Sequence, residues 1–298
     1  MAAVHALVLV VLSAMLLPPA LAQTYTVVTE VAGTGGCSSS EQYTLTYEST
    51  WTSTRHPPDY PSSSAHLSPA VVATHSNSYQ MWASGSLASS GVQSVAETGA
   101  TGTLTTELST AESAGTVLQY QTGSLLDLVG GSTTQSFTVS VDASHQYLSY
   151  ITMIAPSPDW FAGFQDLLLC RSSNWVDMLE ITVQPWDAGT DCGTTYTSSN
   201  CAGGTSAGGA AVNIFEFTAS TTTSANVFVN NNQVLPVATI TITRSGYSAS
   251  PAASPSPSPS PSPVTTSAAR SHGPALSLTI LAIYGIATVA VTRLWTES

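Results

Sequence analysis

YLSYITMIAPSPDWFAGFQDLLLC, residues 147–170, runs from a strand-like segment into a proline-flanked aspartate and two aromatics. In its first eight residues, aromatic and β-branched side chains fit a pleated, half-buried surface. Outward from it the same signature recurs. YTLTYES (43–49) sets Tyr43, Leu45 and Tyr47 against Thr44 and Thr46, and FTVSV (137–141) puts Phe137, Val139 and Val141 on one side. LEITV (179–183), IFEF (214–217), VFV (227–229) and VATITIT (237–243) complete a set of short runs with turn residues between them. Period-two alternation without regular intervening helices predicts an all-β, antiparallel sandwich rather than a parallel α/β sheet. One helix is expected at 103–114, where Leu104, Leu108 and Ala111 recur at i, i+4 and i+7.

Composition narrows the function. Lys+Arg number 5 against 17 Asp+Glu, for a formal charge of −12. Nucleic acid is excluded as a partner because its phosphates require a basic stripe. Residues 1–22 read as a signal peptide, with HALVLVVLSAML as its apolar core and a small-residue site, Ala20–Ala22, before Gln23. That places the chain in the secreted pathway, an oxidising compartment where four cysteines can pair. Residues 23–245 are long enough for one domain with its own core. Residues 246–274 form a Ser/Pro-rich stalk, which proline holds extended; Pro251 to Pro263 would reach roughly 40 Å at ~3.1 Å per residue. Its Ser-Pro alternation resembles glycosylated wall-protein modules, and no N-x-Ser/Thr sequon occurs. Residues 275–292 are apolar and read either as a transmembrane helix or as a removable GPI-attachment tail, so membrane contact is expected through the C-terminal segment.

Four cysteines allow three pairings. Cys192 and Cys201 bracket a Ser/Thr turn, and if they pair, Cys37 and Cys170 join the first strand to the acidic region. Zinc is disfavoured because no C-x₂₋₄-C pair occurs. The aspartates are unevenly spread: five of the eight (Asp159, Asp166, Asp177, Asp187, Asp191) fall between positions 159 and 191. Asp159 sits in PSPDWF, where two prolines stiffen the approach, and Asp187 and Asp191 flank Ala-Gly-Thr, where Gly189 permits a tight bend. Gathered at one end of a sandwich, three carboxylates would repel one another unless a divalent cation neutralised them. The competing reading is that each bonds its own turn backbone. Asp166 and Asp177 read as solvated or turn positions, His75 as a structural hydrogen-bonding residue, and Glu97 as a helix-terminal or outer-shell carboxylate.

Gly204-Thr205-Ser206-Ala207-Gly208 satisfies G-x-S-x-G. A nucleophile elbow needs a strand before it and a helix after it, then an acid and a histidine; the only downstream histidine is His272, beyond the domain. The sequence therefore gives no reason to read an enzyme.

The stretch 153–170, followed by Asn174-Trp175 and PWDAGTD (185–191), resembles the spondin N-terminal domain family, of F-spondin and mindin type. The resemblance extends upstream through LSPAVVATHSNSYQMWASGSLASSGVQSVAETG (67–99), with Leu67 in place of Phe, and through Trp51 with HPPDYP (56–61). It implies a β-sandwich of eight strands, similar to the calcium-dependent lipid-binding sandwiches. It further implies calcium held by Asp159, Asp187 and Asp191, and a Cys37–Cys170 disulfide. An adhesion or recognition module of the cell surface or extracellular matrix follows, with an extracellular protein or glycan as ligand. The alternatives are a structural wall glycoprotein without metal-dependent binding and a calcium-dependent lipid-binding module. The integrin-linked Glu of mindin-type members falls at Ser140, with Asp142 two on, so integrin recognition is not carried over, and the Cys192–Cys201 pair stands as a local addition.

Overall fold

The computed structural model describes residues 24–204, 209–218 and 227–248. The expected signal peptide, the C-terminal apolar segment and nearly all of the stalk lie outside these residues. Among the described residues, no helix is long and apolar enough to cross a membrane. In chain order the elements are β1 (Tyr25–Gly36), β2 (Glu41–Ser49), β3 (His66–Leu67), β4 (Val71–His75), α1 (Ser90–Thr98), α2 (Gly102–Ser113), β5 (Val117–Thr122), β6 (Leu126–Asp127) and β7 (Thr134–Val141). They continue with β8 (Tyr147–Ala155), β9 (Trp160–Leu168), β10 (Cys170–Arg171), β11 (Asn174–Val183), β12 (Pro185–Asp187), β13 (Phe215–Glu216), β14 (Val229–Asn230), β15 (Gln233–Val234) and β16 (Ala238–Arg244).

Two sheets face each other, and every strand pair in them is antiparallel. The first has the order β1-β11-β16-β2-β7, with β10 on β11; the second runs β13-β12-β9-β8-β3-β6, with β4 joining β8 to β5. These are more than the eight strands the resemblance implies, partly because β3, β6, β10, β12 and β13 are separate segments of two or three residues.

The expected alternation holds in the first sheet. Tyr43, Leu45 and Tyr47 point into the core with no exposure, while Thr44 and Glu48 face solvent. The central strands of the second sheet, β4, β8 and β9, are buried on both faces. Tyr150 and Ile154 of β8 face the first sheet, whereas Ile151 packs with Val92, Val95, Leu104 and Leu108 of the two helices. β8 therefore reads as an apolar run rather than an alternating one. The expected helix at 103–114 is α2; α1, which the periodicity does not announce, is nine residues long. α1 is held at its start by a side chain far along the chain. Ser89 accepts from the Val92 N–H as N-cap, and Glu107 of α2 accepts from the Ser89 hydroxyl and the Gly91 N–H.

Both disulfides form. Cys37–Cys170 closes a separation of 133 residues and Cys192–Cys201 one of 9.

Candidate functional site

The site is built at the turn from β8 to β9 and the segment that follows β12. Ser157 Oγ accepts from the Trp160 N–H at 3.1 Å, closing the turn that carries Asp159. Strand alternation then sends Trp160 and Phe161 in opposite directions. Trp160 enters the inter-sheet core against Tyr196, Phe217 and Phe228, and Phe161 packs on Trp82 beneath the helices. With two large aromatics fixing the strand, the preceding Asp159 has little freedom, and it is fully buried.

β12 brings the second carboxylate. Its register on β9 places Asp187 opposite Trp160, and Ala188 N donates to the Asp159 carbonyl at 3.1 Å. Gly189 has a left-handed φ of 71°, and a Cβ there would collide with the Val212 carbonyl, so the bend requires glycine.

The three aspartates behave differently. Asp187 Oδ1 accepts from the Gly189 N–H at 2.8 Å and Asp191 Oδ1 from the Gly193 N–H at 2.7 Å, each two residues ahead. Those are the turn-forming bonds of the competing reading. Asp159 makes no such bond. Its Oδ2 accepts from Thr190 N at 2.7 Å and Asp191 N at 3.0 Å, more than thirty residues away, while its Oδ1 is buried without a partner.

The electrostatics follow from this packing. Burial first, and then the adjacent Asp159 carboxylate, push the Asp187 carboxyl up to about 8; the Gly189 N–H and the neighbouring Trp160 indole oppose the rise. Burial raises Asp159 to about 6, against the pull of the Thr190 and Asp191 amides and with the Asp191 carboxylate adding to the rise. A like charge that close disfavours ionisation of both. Asp191 sits beside this pair but turns its carboxylate to the Gly193 and Cys201 N–H groups, the latter at 2.9 Å from Oδ2. The structure thus brings Asp159 and Asp187 together and leaves Asp191 alongside. Among the described residues, no three His, Cys, Asp or Glu side chains form a ready metal cluster.

Other expected residues occupy quieter positions. His75 is buried, with Nδ1 at 2.8 Å from the Ser76 carbonyl and Nε2 at 2.8 Å from Ser149 Oγ. Burial lowers its pKa, as expected of a structural histidine. Asp166 is neither in a turn nor freely solvated: it lies within β9 at an irregularity of the β8–β9 pairing, with φ of 52°, 3.7 Å from that ring. Asp177 is not solvated: it pairs with Arg244 of the neighbouring strand β16. Glu97, in the last turn of α1, lines a cavity of about 120 Å³ with Ser157, Pro158, Asp191, Ser198 and Asn200. The sequence reading missed Thr190 and Tyr196. Thr190 carries a backbone N–H that holds Asp159, and Tyr196 is a buried ring in the Cys192–Cys201 loop that packs on Trp160.

Comparison with known proteins agrees with the motif reading. The Spondin_N family model matches residues 41–237. Spondin-1 of Mus musculus is 35% identical over 162 residues, covering 53% of this chain and 20% of that protein. Spondin-2 of Homo sapiens is 34% identical over 165 residues, covering 54% of this chain and 49% of that protein. The chain therefore spans about a fifth of the first relative and about half of the second.

Proposed function

The chain belongs to the spondin N-terminal family, and from that premise we propose that it is an extracellular adhesion or recognition module. In this reading it acts at the cell surface or in the matrix, and a calcium ion at the β8–β9 turn orders the loops that meet a protein or glycan ligand. Calcium takes six to eight hard oxygen ligands, and Asp159 and Asp187 would hold it together, with Asp191 adding a carboxylate oxygen through a lone pair its N–H partners leave free. Backbone carbonyls and water would supply the remainder.

One observation carries the proposal: the unpartnered, buried Oδ1 of Asp159 beside a second buried carboxylate. A buried polar atom without a partner is costly, and a dication satisfies it while cancelling the repulsion between the pair. When bound, the ion supplies only charge and geometry. The chain's residues do the rest: Gly189 sets the bend, Trp160 locks the strand, and the Thr190 and Asp191 amides orient Asp159. Loops ordered in advance lose less entropy on meeting a ligand. The two disulfides suit the oxidising environment such a module occupies.

A thermal melt with and without calcium tests this. With a dissociation constant of about 10⁻⁴ M, about 5 mM calcium stabilises by roughly 2 kcal/mol. That raises the midpoint by roughly 5 °C, a gain expected to vanish in Asp187→Asn. An unchanged midpoint in the wild-type protein would instead favour a metal-free site in which the two acids share a proton.

A further inference from the structure

The Cys192–Cys201 loop makes more contacts with the acidic site than a local staple needs. The bridge lies immediately after Asp191, and both N–H groups that hold the Asp191 carboxylate come from bridge residues or their neighbours: Gly193, next to Cys192, and Cys201 itself. Cys192 N donates to the Cys201 carbonyl at 2.9 Å, and Asp191 forms an isolated bridge with Ala202. Just past the bridge, Gly203 N donates to the Thr190 carbonyl at 2.8 Å. Thr190 and Asp191 in turn present their own N–H groups to Asp159 Oδ2. The middle of the loop is anchored as well. Tyr196 is 2% exposed, its ring packs 5.2 Å from that of Trp160, and its hydroxyl accepts from the Trp51 indole N–H at 3.1 Å.

We propose that the Cys192–Cys201 bridge and Tyr196 form a clamp that positions Asp191 and, through the Thr190 and Asp191 amides, Asp159, and so set the affinity of the site for a divalent cation. The inference rests on the calcium reading above and assigns to one short loop the control of that site. The bridge holds the ends of the loop and Tyr196 holds its centre, which fixes the two N–H groups that hold the Asp191 carboxylate. A clamp of this kind acts on binding by keeping the oxygens in place before the ion arrives. A purely structural staple would change the melting temperature and leave the dissociation constant alone.

The test uses the full secreted chain and calcium alone as the probe. In Cys192→Ser/Cys201→Ser, with Cys37–Cys170 intact, the calcium dissociation constant is expected to rise about tenfold or more. In the metal-free variant, amide exchange at Thr190 and Asp191 should quicken while the Ile240 and Leu45 amides stay protected. An unchanged dissociation constant, or equal protection of those two amides, overturns the inference while the calcium reading stands. Absence of calcium binding by the wild-type protein overturns both. If the serine variant loses protection throughout, Tyr196→Ala and Tyr196→Phe decide. The alanine is expected to weaken calcium binding and the phenylalanine, which keeps the ring on Trp160, to preserve it; equal constants in the two overturn the clamp.

Discussion

The first sheet and the acidic turn are held together in opposite ways. In the sheet, β2 lies between β16 and β7 in unbroken register, with Tyr43, Leu45 and Tyr47 on one face and Thr44, Thr46 and Glu48 on the other. Its backbone is paired on both sides by cross-strand neighbours, and the buried side-chain atom it leaves without a partner is a neutral one, the Tyr47 hydroxyl. In the acidic turn, Asp159 is satisfied by amides thirty-one and thirty-two residues away, one of its oxygens has no partner, and a second carboxylate crowds it. The sheet is stable by repetition. The turn is a place where the fold tolerates a local cost, which is where function is expected.

The contrast breaks first at the two disulfides. Removing Cys37–Cys170 by double serine substitution should cost about 5 kcal/mol and removing Cys192–Cys201 about 2.5 kcal/mol by the chain-entropy account, read from denaturant midpoints. Equal losses would contradict the dependence on loop length that this account requires. Leu45→Ala comes next. The side chain is fully buried, so a loss of about 3 kcal/mol is expected, with calcium making no difference.

Asp187→Asn should have the opposite sign. A carboxyl whose folded pKa is raised is favoured when protonated, so it subtracts stability as pH rises above its unfolded value of 3.8 toward about 8. At neutral pH and without calcium the asparagine variant is therefore expected to be more stable than wild type. A destabilised variant would show that Asp187 already has its counter-charge.

The smallest effect belongs to His56, which is buried, with Nε2 at 3.2 Å from the Leu235 carbonyl. Burial lowers its pKa from 6.5 to about 4. The folded protein keeps it neutral, so stability is lost as pH falls below 6.5, down to about 4. Between about pH 7.5 and 5.5 this removes roughly 1 kcal/mol, seen as the difference between the wild-type and His56→Gln profiles.

What could be read from the sequence divides along the same line. The alternating strands at 43–49, 137–141, 179–183 and 237–243 are visible because one of their faces is wet, and α2 because its leucines recur at helical spacing. β9 hides from a pattern search because both its faces are buried, and α1 because it is short and its start is fixed partly by Glu107, sixteen residues beyond Gly91. At the site, Asp159, Asp187 and Asp191 are legible through PSPDW and DAGTD. That Asp187 and Asp191 close local turns while Asp159 does not is invisible, since the difference depends on which distant amides arrive. The burial of Tyr196 leaves no trace in a Ser/Thr-rich stretch that reads as surface.

The most direct measurement is a crystal structure of the protein grown with calcium, with anomalous density recorded at a wavelength where calcium scatters. The account predicts a peak within about 2.3–2.6 Å of Asp159 Oδ1 and of an Asp187 oxygen. A map without such a peak, showing the two carboxyls sharing a short hydrogen bond, would contradict it.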